Sequence, residues 1–237
     1  MLHIFCKKIT LILIICLSGV YAFGQIGGKD NRNFRDFNRK SYYFGINIGF
    51  NNSGYKLHQS AFFIHNDSIR VTEAKSEIGV NMHMITNLKL GEYFDFRFLP
   101  GFSFAQRGFE FSSVSNESRI DERKIESVFF ELPFHIRFKS EPYKDKRMFV
   151  VAGLKYSYDV QSNSKSRKSL IKIAPHDFQY EVGVGMQMFY PYFIFSPEIK
   201  FSRGISNILL YDRAQNEAKV LENVVSQIFT ISFNFEG

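Results

Sequence analysis

The chain has 237 residues, a formal net charge of +7, and 28 Phe and 12 Tyr with no Trp. That length suits one domain, and so many phenylalanines and tyrosines favour β-strands. No segment after the first 24 residues has the roughly 20 apolar residues of a transmembrane helix, so none is predicted there.

The first 24 residues have the pattern of a secretory signal peptide. Lys7 and Lys8 precede an apolar run over 9–17, and small residues at 22 and 24 mark the expected cleavage point. Cleavage removes Cys6 and Cys16, which excludes a disulfide framework, a thiolate zinc site and a cysteine nucleophile. It also lowers the net charge of +7 by two lysines, to +5. An exported basic protein is expected to meet lipid phosphates rather than nucleic acid. A retained anchor helix is the alternative.

Segment 25–41 is polar, basic and without a period. We predict a flexible N-terminal tail here. Alternatively, the segment docks on a periplasmic partner and uses Phe34 and Phe37 as anchors.

Eight segments then alternate apolar and polar residues, the period-two pattern of strands with two different faces. They span 42–51, 77–90, 93–107, 125–139, 147–160, 177–188, 193–202 and 225–235. Long connections over 52–76, 108–124, 161–176 and 203–223 alternate with short turns over 91–92, 140–146 and 189–192. Pro133 lies within the fourth segment, where its missing N–H predicts a bulge or local irregularity.

The third segment carries a ladder of phenylalanine on one face: Phe94, Phe96, Phe98, Phe102 and Phe104. Its other face carries Asp95 and Arg97, whose charges an apolar core would not accept. Phenylalanine facing lipid and charge facing a barrel interior would explain both faces. We therefore predict that the five phenylalanines face lipid or a partner barrel. Pro100 interrupts the ladder and is a candidate docking point.

Strands of about ten residues, even in number, with alternating long and short connections predict an all-β fold. The expected architecture is an eight-stranded antiparallel transmembrane β-barrel of the OmpA/OmpX-like up-and-down type. It would be integral to the cell outer membrane, with both termini periplasmic and domain bounds 1–24 (signal), 25–41 (periplasmic segment) and 42–237 (barrel). A soluble lipocalin-like barrel, with inside and outside exchanged, is the rival.

Glycines and charges of both signs on the polar face favour the membrane barrel, because they can fill a narrow interior. We therefore predict a filled interior without an open pore. The expected interior charge network is Asp95, Arg97, Glu131, His135, Arg137, Lys155, Glu181, Glu198 and Lys200.

The sequence contains no catalytic, cofactor-binding or metal-binding motif. A lipid-modifying barrel enzyme would use His83 or His135 as a base beside a serine such as Ser103. We expect instead that both histidines belong to the interior network, so that the chain is not an enzyme and needs no cofactor. The basic connection 161–176 is either a lipopolysaccharide site or a solvated loop.

Five short segments stand in order along the mature chain: YFGINIGFN (43–51), NLKL (87–90), RFLPGFSFAQR (97–107), ELPF (131–134) and SPEIKFS (196–202). Together they resemble the PorT family of outer-membrane barrels, with Ala105 where the family pattern has glycine. The resemblance implies an accessory, non-catalytic role in the type IX (Por) secretion system of Bacteroidetes, which exports proteases, adhesins and gliding proteins. It also implies partners among the other type IX components, such as the translocon barrel. A structural or adhesive barrel and a lipid-modifying enzyme remain the alternatives.

Overall fold

The computed structural model describes residues 31–59, 69–113, 120–161, 172–210 and 221–237. The predicted signal peptide over 1–24 lies outside these residues. The elements are α1 (Arg32–Asn38), β1 (Tyr42–Gln59), β2 (Ile69–Lys89), β3 (Phe94–Phe98), β4 (Gly101–Ser113), β5 (Ile120–Lys139), β6 (Lys146–Asp159), β7 (Lys172–Ile173), β8 (His176–Phe189), β9 (Ile194–Gly204), β10 (Leu209–Leu210) and β11 (Leu221–Glu236). Within the described ranges, no helix combines the length and apolarity needed to cross a membrane.

The long strands close into one antiparallel barrel. β1 pairs with β2 on one side and with β11 on the other, and the remaining long strands pair in chain order. The two-residue strands β7 and β10 pair with each other in a separate sheet. β3 and β4 form one wall strand, because Phe98↔Phe134 and Gly101↔Glu131 continue the same register against β5. Counted this way the wall has eight strands, which confirms the predicted fold. We call the end with the turns β2–β3, β5–β6 and β8–β9 the turn end, and the opposite end the loop end.

The break between β3 and β4 lies beside Pro133 of β5. Leu99 donates its N–H to the Pro133 carbonyl oxygen at 3.0 Å, and Met84 donates to the Pro100 carbonyl oxygen at 2.9 Å. Neither proline has an N–H, so neither can donate the second hydrogen bond of its pair. The pairing of β5 with β6 nevertheless keeps one register through Pro133. β5 therefore has no bulge at Pro133, and the predicted local irregularity is the break between β3 and β4 opposite this proline.

Several strands run further toward the loop end than their apolar pattern indicated. β1 continues to Gln59 along β11, and β2 begins at Ile69 along β4. The alternation of polarity stops earlier because it depends on side chains, whereas the backbone ladder continues without apolar side chains. The connections predicted over 52–76 and 108–124 are therefore shorter than expected.

Apolar side chains lie on the outside of the barrel and polar ones inside. Phe44, Met84 and Phe104 are 57%, 69% and 55% exposed, whereas Arg97 and Arg137 are completely buried. A soluble lipocalin-like barrel needs the reverse arrangement. That alternative is wrong.

Two interior glycines make room for the histidine rings. A Cβ at Gly153 would lie 2.0 Å from the Phe134 carbonyl oxygen and 2.7 Å from the His135 ring. A Cβ at Gly101 would lie 2.2 Å from the Met82 carbonyl oxygen and 2.6 Å from the His83 ring. Glycine is needed at both positions because any side chain would meet backbone atoms of the adjacent strand.

Candidate functional site

The turn-end half of the interior contains a cluster of charges that connects strands across the barrel. Arg97 donates hydrogen bonds to Glu198 at 3.0 Å and to Glu236 at 2.8 Å. Arg137 donates to Asp95 at 2.7 Å and reaches Glu236 at 3.4 Å. The bonds to Glu198 and Glu236 join β3 and β5 to β9 and β11, which are not their neighbours in the wall.

Asp95 also contacts two further side chains at the same level. Lys139 forms an ion pair with its second oxygen. The Tyr43 hydroxyl accepts a hydrogen bond from Arg137 and donates to Asp95 at 3.4 Å. Both carboxylate oxygens of Asp95 are therefore engaged, although the side chain has no contact with solvent.

A second cluster lies closer to the loop end. Lys155 stands between two carboxylates, 3.3 Å from Glu131 and 3.1 Å from Glu181. His83 Nε2 lies 3.1 Å from Glu131, and His135 Nε2 lies 2.5 Å from Glu181. Lys200, 3.6 Å from Glu198, belongs to the half that contains Arg97.

All nine side chains of the predicted interior network point into the barrel, and each forms an ion pair or hydrogen bond with another member. The sequence reasoning missed Tyr43, Lys139 and Glu236. Lys139 and Glu236 continue the polar alternation of β5 and β11, so strict period-two counting to the last strand residue would have found them. Lys139 is the last residue of the predicted segment 125–139 but is missing from the predicted network, and Glu236 directly follows the predicted segment 225–235.

The interior is electrically balanced. Among the described residues, the buried cations are Arg97, Arg137, Lys139, Arg147, Lys155 and Lys200, and the buried carboxylates are Asp95, Glu131, Asp177, Glu181, Glu198 and Glu236. Buried charges are tolerated when each has partners of opposite sign, because desolvation is costly for an unpaired ion. Paired side chains fill the lumen, in agreement with the predicted filled interior.

The loop end of the lumen closes with polar and then apolar contacts. Asp177 accepts hydrogen bonds from Ser226 and, at 2.6 Å, from Gln179. Beyond it, Ile208 and Val224 form a small buried cluster with apolar side chains of β1, β7 and β10. This apolar cluster lies at the loop end of the charged interior.

At the turn end, α1 lies across the barrel opening. Phe37 is buried against Phe189 and Ile194, and the Phe34 ring meets Phe189 edge to face at 5.2 Å. Lys89 donates to the Phe37 carbonyl oxygen at 2.6 Å. The predicted flexible tail is therefore wrong for residues 31–41. Phe34 and Phe37 do serve as anchors, but on their own barrel.

Polar contacts fix the start of α1 to the β5–β6 turn. Asn31 donates to the Pro142 carbonyl oxygen at 3.2 Å and accepts from the Asp145 N–H at 3.0 Å. The Asp145 carboxylate accepts the Phe34 N–H at 3.0 Å, and the Arg147 guanidinium lies 5.4 Å from the Phe34 ring centroid. No periodic signal in the sequence marks α1, which we call the cap, because its seven residues, about two turns, are too few to show one.

The phenylalanine ladder lies on the outer wall. Phe94, Phe96, Phe102 and Phe104 are exposed, and Phe98 is partly covered by Phe134 at a centroid distance of 4.8 Å. The ladder therefore belongs to an apolar outer surface, opposite the face that carries Asp95 and Arg97.

The two buried histidines differ in their hydrogen bonds: both ring nitrogens of His83 have partners, whereas His135 contacts Glu181 through Nε2 and its Nδ1 has no partner among the described residues. His83 Nδ1 lies 3.2 Å from Asn47, and its Nε2 contacts Glu131. Ser103 accepts a hydrogen bond from Asn51 at 3.0 Å, so the hydroxyl named as a nucleophile has a different partner. Within the described ranges, no three His, Cys, Asp or Glu side chains group as metal ligands would. The arrangement stabilises the wall and blocks the lumen.

Comparison with known proteins places this geometry in a family. No curated protein sequence matches the chain. Three solved structures are similar: Ail, the attachment invasion locus protein of Yersinia pestis (12% identity, 84% of this chain and 100% of that one, TM-score 0.41); the outer membrane protein OprG of Pseudomonas aeruginosa (10%, 81% and 96%, 0.43); and Neisserial surface protein A (9%, 81% and 96%, 0.41). The outer membrane protein beta-barrel domain profile matches residues 23–210. The chain therefore belongs to the outer membrane protein beta-barrel domain family and is an integral outer-membrane β-barrel protein.

Proposed function

We propose that this barrel is an accessory component of the type IX secretion system and a member of the PorT family within the broader barrel family. The observation that carries the proposal is the ordered series of five segments that resemble that family. Its cargo class would be the proteases, adhesins or gliding proteins that this route exports.

The contacts between these segments support the proposal. Segments 43–51, 87–90, 97–107 and 131–134 occupy neighbouring wall strands, and 196–202 lies in β9. Arg97 pairs with Glu198 at 3.0 Å, and Asn51 donates to Ser103 at 3.0 Å. The resemblance therefore includes side chains that contact each other inside the barrel, which a chance likeness of separate strands would not require.

The filled lumen favours a scaffold over a conduit. With buried ion pairs along the lumen and α1 across the turn end, cargo has no path through this barrel. Partners such as the translocon barrel would then bind the outer wall or the turn end, which in this proposal faces the periplasm together with both termini. Outer-membrane lipid would cover the rest of the apolar wall.

We propose further that the protein is not an enzyme. His83 and His135 are buried and hydrogen-bonded to carboxylates, out of reach of a lipid substrate. Replacing both by glutamine should leave lipid A composition unchanged when the membrane is analysed by mass spectrometry. A missing lipid A modification in that variant would favour the lipid-modifying enzyme instead.

Gene deletion with complementation tests the secretion role. The deletion strain should retain type IX cargo inside the cell, and the wild-type gene should restore export. The outer membrane of the deletion strain should remain an intact barrier to detergents and dyes. A second complementing gene, for a barrel that lacks residues 31–41, separates the contribution of the barrel wall to export from that of α1. Normal export of cargo by the deletion strain would contradict the proposal and favour a structural or adhesive barrel.

A further inference from the structure

The outward side of α1 is a fixed array of arginines. Phe34 and Phe37 face the barrel, whereas Arg32, Arg35 and Arg39 are exposed. Their spacing of three and four residues places them on one side of the helix, where exposed Asp36, four residues after Arg32, is the one carboxylate of α1. We call these three side chains the arginine face.

The turn end as a whole carries excess positive charge. Around α1 and the turns, the exposed cations among the described residues are Arg32, Arg35, Arg39, Lys40, Lys144 and Lys146, and the exposed carboxylates are Asp36, Glu92 and Glu141. The buried interior behind them is balanced, so the excess is a property of this surface. Such a surface attracts a partner that carries negative charge.

The position of α1 distinguishes a protein partner from lipid headgroups. α1 contacts the β5–β6 and β8–β9 turns, and Lys89 of β2 reaches it from the opposite side of the wall. The helix therefore lies over the barrel opening rather than beside the outer rim. At that rim the exposed residues include Tyr42, Tyr143 and Tyr190, the residue type that marks the headgroup level of a barrel.

We propose that the arginine face is a docking surface for a carboxylate-rich segment of a periplasmic protein. The planar guanidinium forms paired hydrogen bonds with carboxylates. The anchors Phe34 and Phe37 hold the helix before binding, which removes part of the ordering cost of association. This inference needs the turn end to face the periplasm but does not depend on the type IX role.

Fluorescence anisotropy on the purified mature chain in detergent tests the proposal. The probe is a fluorescein-labelled peptide of alternating Glu and Gly. The test variant combines Arg32→Gln, Arg35→Gln and Arg39→Gln; the charge-matched control combines Lys165→Gln, Arg167→Gln and Lys168→Gln in the connection between β6 and β7. We expect salt-sensitive binding that is about tenfold weaker in the test variant and unchanged in the control.

Two results would overturn the proposal. Absent binding, or an equal loss in both variants, would show that the arginine face has no special affinity for carboxylates. Displacement of the peptide by glycerophosphoglycerol at a lower concentration than by unlabelled peptide would assign the face to lipid headgroups. Far-UV circular dichroism on all variants checks that each retains the strand content of the folded barrel.

Discussion

Asp95 is the residue whose loss should unbalance the interior most clearly. Its carboxylate pairs with Arg137 and Lys139, and the side chain is fully buried. Arg137 keeps Glu236 at 3.4 Å when Asp95 is neutralised. Lys139 keeps nothing comparable, because Asp95 is the one described carboxylate within 4.0 Å of its ammonium group.

The expected cost of Asp95→Asn follows from these contacts. Removing one partner of a buried ion pair costs about 3–5 kcal/mol. Asparagine preserves the volume and one acceptor oxygen, and Arg137 retains a carboxylate, so we expect the lower limit, about 3 kcal/mol. The second substitution, Lys139→Met, removes the ammonium group that Asp95→Asn leaves without a carboxylate partner. The double variant should therefore recover roughly half of the loss.

Equilibrium unfolding in urea, with the barrel in lipid vesicles and strand content followed by circular dichroism, measures both variants. Lys144→Met, an exposed lysine at the same end, is the matched control and should stay within about 0.5 kcal/mol of the wild type. A cost for Asp95→Asn within that same range, or a double variant less stable than the single one, would show that Asp95 does not compensate the buried charge of Lys139.

Three further substitutions test the cap, the outer wall and the crowded lumen, and a fourth, Gly91→Ala, is the control for Gly153→Ala. Phe37→Ala should release α1 at a cost of about 3 kcal/mol, so trypsin should cleave within the cap roughly a hundredfold faster. Phe102→Arg should destabilise the barrel in vesicles by about 2–4 kcal/mol, because it places a cation on the lipid-facing wall. Gly153→Ala should prevent folding or cost more than about 3 kcal/mol, since its Cβ would lie 2.0 Å from a backbone oxygen. At Gly91 an added Cβ would lie in open space, although φ is +152°. Gly91→Ala should therefore lower the free energy of unfolding by only about 1 kcal/mol.

Each of these has a contrary outcome. Unchanged trypsin cleavage in the Phe37 variant would mean that polar contacts of Asn31 and Asn33 alone hold the cap. An arginine tolerated at position 102 would place that position outside the bilayer. Equal costs at Gly153 and Gly91 would contradict the close approach of β5 and β6.

The interior network also explains how strands that are not neighbours are held in place. Arg97 in β3 binds Glu236, the last residue of β11, and Glu198 in β9. Closing the barrel brings these groups together after long stretches of intervening chain. The hydrogen-bond ladder fixes adjacent strands, and the ion pairs fix the wall across its diameter.

The sequence by itself determined the number of strands, their two faces and the polarity of the barrel. Period-two alternation carries this information because a strand turns successive side chains to opposite sides. The residues of the interior network and the phenylalanine ladder could be named in advance for the same reason. Their partners could not, because pairs such as Arg97–Glu198 depend on which strands face each other across the lumen.

Only the tertiary structure decided the conformation of the N-terminal segment and the positions at which the strands end. A seven-residue helix has too little intrinsic stability to be read from composition; α1 forms because Phe34 and Phe37 find an apolar site made by the β8–β9 turn. Likewise, β1 and β2 extend toward the loop end because their neighbours supply backbone partners, which leave no mark in the side-chain pattern. Local periodicity thus fixes what each strand shows to lipid and lumen, and long-range contact fixes what closes the barrel.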